Sequence, residues 1–168
     1  MDPKHIVIDA RIRRSSTGRY VDRLIEHLQE VDKDNVYTVL LQPDDSWIPK
    51  ADNFAIETSK YAQFSFNPLD QIGFTGQLLR LKPDLVHFTM TQQPIFYFGG
   101  SVTTTHDLTM LRFVRAGKTP PLIFWLKQLG YRFLFWWSHK KSSRIIAPSN
   151  YVKKDLSKLL PFTAKITE

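Results

Sequence analysis

Two hydrophobic patterns alternate along this chain. Short runs of apolar and β-branched residues, typical of strands buried on both faces of a parallel sheet, occupy residues 5–10, 36–42, 54–57, 85–88, 101–106 and 144–147. Longer segments with apolar residues every three or four positions, the spacing of an amphipathic helix, occupy residues 21–31, 69–82, 122–141 and 152–160. We expect residues 165–168 to begin one more strand. We expect the run at 54–57 at an edge of the sheet.

This alternation predicts the fold class. Strands that alternate with helices form a parallel sheet with helices packed on both of its faces. We therefore expect an α/β fold with a Rossmann-like, mainly parallel sheet. A chain of 168 residues is long enough for one domain with its own core, so we assign residues 1–168 to a single domain.

The run VTTTHD at residues 102–107 ends in His106 and Asp107, two residues whose side chains often act in catalysis. In open α/β sheets, ligands bind outside the carboxyl ends of the strands. His106 and Asp107 follow such an end and are therefore our candidates for a catalytic pair. The alternative is structural, with a histidine that ends a strand and an aspartate that caps the next turn.

The first predicted helix begins in the sequence SSTGRY at residues 15–20, shortly after a strand. A helix N-terminus in this position is a natural anion site, and a glycine lets the backbone approach a ligand closely. Thr17, Gly18 and Arg19 are therefore candidate phosphate ligands. The segment has one glycine where a dinucleotide-binding fingerprint needs three, and it lacks the Gly-Lys-Ser/Thr of a P-loop. A plain strand-to-helix turn is the alternative.

Composition narrows the classes of function. The chain has no cysteine, which excludes a disulfide scaffold, a thiolate metal site and a cysteine nucleophile, and is compatible with a reducing cytoplasm. Its net charge of +7 is common in proteins that meet phosphorylated substrates or anionic lipid. The basic residues are scattered and form no zinc-finger or RNA-recognition pattern, so we do not expect nucleic acid as a partner. The first residues lack the pattern of a signal peptide.

The helix predicted over residues 122–141 is unusually aromatic. One half of its surface is apolar, whereas the other half combines polar residues with Phe124, Tyr131 and Phe135. Rings beside cations such as Lys127 and Arg132 are typical of helices at a membrane interface. We therefore predict that these five residues contact an anionic membrane surface. The alternative is that a neighbouring loop covers the three rings.

Five short segments together resemble the amino-terminal half of the family 4 glycosyltransferases, which have the GT-B architecture. They are IDAR at 8–11, TGRY at 17–20, KPDLVHF at 82–88, THDL at 105–108 and RIIAPSNYVKKDL at 144–156. Their order and spacing match across nearly the whole chain. TGRY departs from the pattern, because relatives often have TGIGRY at this point.

The resemblance implies an enzyme that transfers a sugar from a nucleotide-sugar donor to an acceptor, which is a glycan or a lipid-linked or phosphorylated molecule. Such transfer usually retains the anomeric configuration and needs no metal or other cofactor. The amino-terminal domain mainly binds the acceptor, and the carboxyl-terminal domain holds the donor. We expect the donor domain to be absent from this chain, and the chain alone to have little or no transferase activity.

The chemistry of individual residues suggests their roles in such an enzyme. We expect His106 to hydrogen-bond the transferring sugar or the acceptor, with Asp107 helping to position it. Arg11 and Arg112 are candidates for binding a phosphorylated acceptor. The full set of candidate substrate-binding residues is Arg11, Thr17, Gly18, Arg19, Tyr20, Arg112, Ser149 and Asn150. A different class of function stays open, namely a non-catalytic module that docks on a membrane or on a partner protein.

Overall fold

The computed structural model describes residues 2–63, 65, 67–112, 120–161 and 163–168. Its strands are β1 (His5–Asp9), β2 (Val36–Leu41), β3 (Phe54–Thr58), β4 (Leu85–Phe88), β5 (Ser101–Thr104), β6 (Arg144–Ile146) and β7 (Ile166–Thr167). Its helices are α1 (Gly18–Val31), α2 (Pro68–Leu81), α3 (Thr109–Arg112), α4 (Pro121–Lys141) and α5 (Asn150–Leu159). One turn of 3-10 helix, Thr163–Lys165, precedes β7.

All seven of these strands pair in parallel, in the order β3-β2-β1-β4-β5-β6-β7. The predicted Rossmann-like α/β fold is therefore confirmed. The run at 54–57 forms an edge strand, and the residues after 165 supply the strand at the opposite edge. β5 ends at Thr104, two residues before the predicted end, so His106 lies in the loop beyond the strand.

Helices cover both faces of the sheet because neighbouring residues of each buried strand point to opposite sides. On one face, Ile8 of β1 belongs to a core cluster with Val21 and Ile25 of α1. On the other face, Val7 belongs to a cluster with Phe74 and Leu78 of α2. A third cluster joins α4, α5, β6 and β7, and its members include Phe135, Ile145, Leu156 and Ile166.

Helix α4 is oriented opposite to the prediction. Its mixed half, which contains Tyr131 and Phe135, faces the protein interior, and these two side chains are only 7% and 4% exposed. Its apolar half faces outward. The predicted membrane contact of Tyr131 and Phe135 is therefore wrong. Phe124 is half-buried, whereas Lys127 and Arg132 are exposed.

The physical reason for this orientation is the chemistry of β5. This strand and the residue after it present threonine hydroxyls where a typical buried strand presents methyl groups. Thr105 Oγ1 lies 2.7 Å from Nε2 of His139, and Thr103 Oγ1 lies 2.6 Å from Oγ of Ser142. Buried polar groups need partners, so the polar half of α4 is the half that matches this part of the sheet. Among the described helices, none combines the length and apolarity that crossing a bilayer requires.

Candidate functional site

The strand order reverses its direction of growth between β1 and β4, which is the place where open α/β sheets bind ligands. A chain of hydrogen bonds ties together the loops beyond β1, β4 and β5. Thr89 Oγ1 donates to the carbonyl of Asp9 at 2.6 Å, and His106 Nε2 donates to the carbonyl of Thr89 at 2.9 Å. His106 is therefore fixed at the carboxyl edge of the central strands, as predicted for this position.

An aromatic contact fixes the plane of the His106 ring. The ring of Tyr20, in the first turn of α1, meets it edge-on with 4.8 Å between the centroids. The Tyr20 hydroxyl shares a hydrogen bond of 3.0 Å with Oγ1 of Thr104, which also lies 2.8 Å from Nε2 of His87. The structure thus brings Tyr20 and His106 together, with Tyr20 anchored through Thr104 to the sheet.

Burial controls the protonation of this cluster. Desolvation lowers the pKa of His106, although its bond to the Thr89 carbonyl and the charge of Asp107 oppose the shift. Desolvation also lowers the pKa of His87 to about 4 and raises the pKa of Tyr20. The lowered pKa of His106 favours the neutral imidazole, and the bond to the Thr89 carbonyl places its proton on Nε2. Within the described residues, the lone pair on Nδ1 has no hydrogen-bond donor.

A cavity of about 250 Å³ opens beside His106. Methionines 90 and 110 give it an apolar part, and its polar lining comes from Thr17, Thr91, Gln92, His106, Asp107, Thr109 and Tyr131. The cavity thus collects one residue before α1, the loop after β4, the loop after β5 and the inner face of α4. Side chains that accept and donate hydrogen bonds over an apolar base are typical of small-molecule sites.

Asp107 lies in this cavity, but the described contacts do not make it the group that positions His106. Its Oδ1 accepts a hydrogen bond of 2.8 Å from the backbone N–H of Thr109, at the start of α3. Its side chain is exposed and lines the cavity beside the histidine. Thr89 and Tyr20 hold His106, while Asp107 contributes a carboxylate to the cavity, and only one of its oxygens accepts a hydrogen bond within the part of the chain that the structure describes.

The predicted anion site at the start of α1 is only partly formed. Two of its N–H groups are used inside the turn, since Gly18 donates to Ser15 and Tyr20 donates to Thr17. A Cβ on Gly18 would lie 1.5 Å from the Arg13 carbonyl oxygen, so this glycine serves close packing of the turn. Thr17 reaches the cavity, and its hydroxyl makes no capping bond. Arg19 is exposed outside the cavity lining.

Arg11 lies elsewhere, in a buried ion pair. Its Nε and Nη2 each donate to the Asp9 carboxylate at 2.8 Å, and its Nη1 donates to the Tyr61 carbonyl at 2.8 Å. The guanidinium carbon lies 3.6 Å from the centre of the Phe74 ring. Arg11 therefore holds the loop after β1 in place and does not line the cavity.

Arg112 lines a smaller adjoining cavity of about 170 Å³, which also contains Asp107. Its Nη2 lies 2.8 Å from Asp155 of α5, and its Nη1 donates to the Tyr151 hydroxyl at 3.4 Å. Ser149 caps α5, because its side-chain oxygen accepts a hydrogen bond from the backbone N–H of Val152. Ser149 and exposed Asn150 line neither of these two cavities.

Sequence reasoning missed Thr89 and Tyr131 as parts of this site. Thr89 directly follows β4, so the rule that loops gather at the carboxyl edge of a parallel sheet could have found it. Tyr131 was predicted on the half of α4 that faces a membrane, and only the inward packing of that half reveals its position in the cavity lining. No cluster of three or more potential metal-ligating acidic, histidine or cysteine side chains occurs among the described residues.

Known structures share this architecture. HepE (Alr3699) from Anabaena, solved in complex with UDP and glucose, is 14% identical with a TM-score of 0.59, and the match covers 98% of this chain and 43% of HepE. A UDP-N-acetylglucosamine 2-epimerase is 12% identical with a TM-score of 0.55, at coverages of 98% and 45%. The lipopolysaccharide outer core galactosyltransferase WaaB, in its apo form, is 12% identical with a TM-score of 0.52, at coverages of 98% and 44%.

These similarities show the fold, and the chain spans less than half the length of each of these three proteins. A comparison with curated proteins finds no significant match. The sequence profile of Glycosyltransferase Family 4 matches residues 17–167, which is most of the chain. The match includes the start of α1, His106 and the cavity beside it. This chain belongs to glycosyltransferase family 4.

Proposed function

We propose that this chain is the acceptor-side domain of a glycosyltransferase that moves a sugar from a nucleotide-sugar donor to an acceptor hydroxyl. The observation that carries the proposal is the cavity beside His106, which a neutral, fixed imidazole and an exposed carboxylate line together. The acceptor is a glycan or a lipid-linked or phosphorylated molecule, and the donor is held mainly by a second domain. The chain alone has little or no transferase activity.

In the proposed reaction, the bond between the anomeric carbon and the diphosphate oxygen of the donor breaks, and the acceptor oxygen forms the new bond to that carbon. The departing diphosphate gains the electron pair of the broken bond, and the proton of the acceptor hydroxyl passes to an oxygen of that diphosphate. The configuration at the anomeric carbon is retained. Groups that stabilise the charge on the leaving diphosphate lower the barrier most.

The residues in the cavity have distinct roles in this proposal. The free lone pair on Nδ1 of His106 accepts a hydrogen bond from a hydroxyl of the acceptor or of the transferring sugar. Asp107 accepts a second such bond through the carboxylate oxygen that Thr109 leaves free. Thr17 contributes a hydroxyl beside the N-terminus of α1, whose positive dipole end favours the departing diphosphate. Arg112 shares the adjoining cavity with Asp107, and the N–H groups that it does not use for Asp155 and Tyr151 favour an acceptor that carries a negative charge.

Calorimetric titration tests whether the nucleotide-sugar donor binds to this chain or to the second domain. A nucleotide sugar added to this chain should bind weakly or not at all, because the donor site belongs to the second domain. Low-micromolar affinity for the donor would place that site here and contradict the proposal. Transfer is then measured on the intact enzyme with a panel of nucleotide sugars. Binding to vesicles without transfer of any sugar would favour a non-catalytic docking module instead.

A further inference from the structure

The outward half of α4 is a continuous apolar surface. Its side chains recur at steps of three and four residues and are Leu122, Trp125, Leu126, Leu129, Phe133 and Trp136, which we call the outer face. Leu122 is 73% exposed, Leu129 is 62% exposed and Phe133 is 52% exposed. Exposed apolar side chains that occur singly are ordinary, but a contiguous set of this size marks an interaction surface.

Hydrogen bonds along the inner side and one flank of α4 hold this surface in place. His139 and Ser142 bond to threonines of the β5 segment, as described above. Trp137 Nε1 donates to the carbonyl of Ile95 at 3.0 Å, and Lys141 Nζ donates to the carbonyl of Tyr97 at 2.9 Å. These bonds keep α4 from rotating to bury its leucines and tryptophans. The outer face is therefore preorganised for a partner.

The charges on α4 indicate the chemistry of that partner. The helix has 21 residues and contains cations but no aspartate or glutamate. Arg132 and Lys140 are exposed beside the outer face, and the Lys140 ammonium lies 4.7 Å from the centre of the Trp136 ring. Long cationic side chains that flank an apolar helix face extend toward anionic headgroups while tryptophan rings occupy the boundary between lipid and water.

We propose that the outer face binds the surface of an anionic lipid bilayer, with α4 lying in the plane of the interface. The apolar side chains enter the headgroup and acyl boundary to a depth of roughly 5–10 Å, and Arg132 and Lys140 pair with lipid phosphates. This surface differs from the predicted one, since Tyr131 and Phe135 lie on the inner side of α4. Only Arg132 belongs to both.

One consequence rests on the proposed function. Tyr131 on the inner side of α4 lines the cavity beside His106, so this cavity lies about one helix diameter, roughly 10 Å, from the lipid surface. Such a distance suits an acceptor whose reacting headgroup is carried on a lipid. The binding test below measures no sugar transfer, so its result does not depend on that function.

The test is cosedimentation of the full chain with vesicles of phosphatidylcholine alone or mixed with phosphatidylglycerol. We expect binding to the anionic vesicles that weakens with added salt, together with a blue shift of tryptophan emission from Trp125 and Trp136. The triple variant Leu126→Ser, Leu129→Ser and Phe133→Ser should reduce affinity about tenfold or more. Its matched control replaces Val31, Ile48 and Leu69, which are exposed elsewhere, by serine and should bind like the parent protein.

A variant without two of the cations separates the electrostatic contribution to vesicle binding from the contribution of the apolar side chains. Arg132→Gln with Lys140→Gln should weaken binding to anionic vesicles and reduce its dependence on salt. Equal binding by the triple serine variant and its control would overturn the proposal. It would also be overturned by a dimer that dissociates in the triple serine variant without any vesicle binding, because the outer face would then join two copies of the chain.

Discussion

Nε2 of His139 lies 2.7 Å from Oγ1 of Thr105, and both side chains are almost completely buried. His139 Nδ1 also donates to the Phe135 carbonyl at 2.6 Å, so Nε2 must accept the hydrogen of the threonine hydroxyl. This pair joins the inner side of α4 to the segment that ends in His106. It therefore helps to decide which side of the helix faces lipid or solvent and which side lines the cavity.

Thr105→Val should lower the free energy of unfolding by about 1–3 kcal/mol, because it leaves the Nε2 of His139 buried without a donor. The double variant Thr105→Val with His139→Leu removes both polar partners and should cost less than the sum of the two single changes. Urea denaturation of the four proteins of this cycle gives the coupling. Purely additive effects would show that the hydrogen bond contributes nothing.

Acid should destabilise the fold before most carboxylates titrate. Burial lowers the pKa of both His87 and His139 to about 4, whereas an unfolded histidine titrates near 6.5. The unfolded chain therefore binds more protons between these values, and the free energy of unfolding falls as the pH drops from about 6.5 to 4. Denaturant melts across this range measure the slope.

The double variant at Thr105 and His139 provides the comparison for this slope. It retains His87 but has no histidine at position 139, so its stability should depend less steeply on pH in this window. Identical slopes in the parent and the double variant would mean that His139 is not buried in its neutral form. Lys141, whose pKa burial lowers to about 7, adds a separate rise in stability above neutral pH.

The sequence was sufficient to predict the sheet, because buried parallel strands have a recognisable composition and the helices between them have a clear period. It was not sufficient to orient α4. Its periodicity correctly divides the helix into two halves, but periodicity alone does not tell which half packs inward. That choice depends on the surface that the helix meets, and the hydroxyls of Thr103 and Thr105 favour the polar half.

Part of the candidate site was also predicted from the sequence, and part was not. His106, Asp107 and Thr17 were found because they lie at strand ends or a helix start, which a parallel sheet gathers at one edge. The group that holds His106 was not found, since Thr89 is 17 residues away in the chain. Arg11 was assigned to substrate from its position alone, whereas its buried partner Asp9 precedes it by only two residues.

Gly18→Ala should destabilise the protein by about 1–3 kcal/mol, because the added methyl group would overlap the Arg13 carbonyl in the turn before α1. Gly76→Ala is the matched control. Gly76 lies inside α2 with open space at the position of a Cβ, so alanine there should add about 0.5–1 kcal/mol of stability. Thermal melts should show a lower melting temperature for Gly18→Ala and a higher one for Gly76→Ala. An unchanged melting temperature in Gly18→Ala would mean that the turn relaxes freely.

Arg11→Leu should act on stability. The change leaves the Asp9 carboxylate buried and unpaired, at a cost of about 3–5 kcal/mol. Arg14→Leu removes a solvent-exposed partner of Asp44 and should cost no more than about 1 kcal/mol. Urea denaturation distinguishes the two variants. If the Arg11→Leu protein is as stable as the parent but no longer binds the acceptor, Arg11 is a substrate ligand and not a structural residue.

His106→Ala, made in the intact enzyme, should reduce turnover by about 10²–10³-fold, the usual effect of losing one fixed hydrogen-bonding group that acts on a transition state. His106 is half-buried and contributes one ring contact with Tyr20 and one hydrogen bond to the Thr89 carbonyl, so the variant should stay folded. Tyr20→Phe keeps that ring contact but loses the bond to Thr104, and it should reduce turnover less than His106→Ala does. Steady-state kinetics and a thermal melt on each variant separate chemistry from folding. Wild-type turnover in His106→Ala, or a protein that no longer folds, would assign this histidine a structural role.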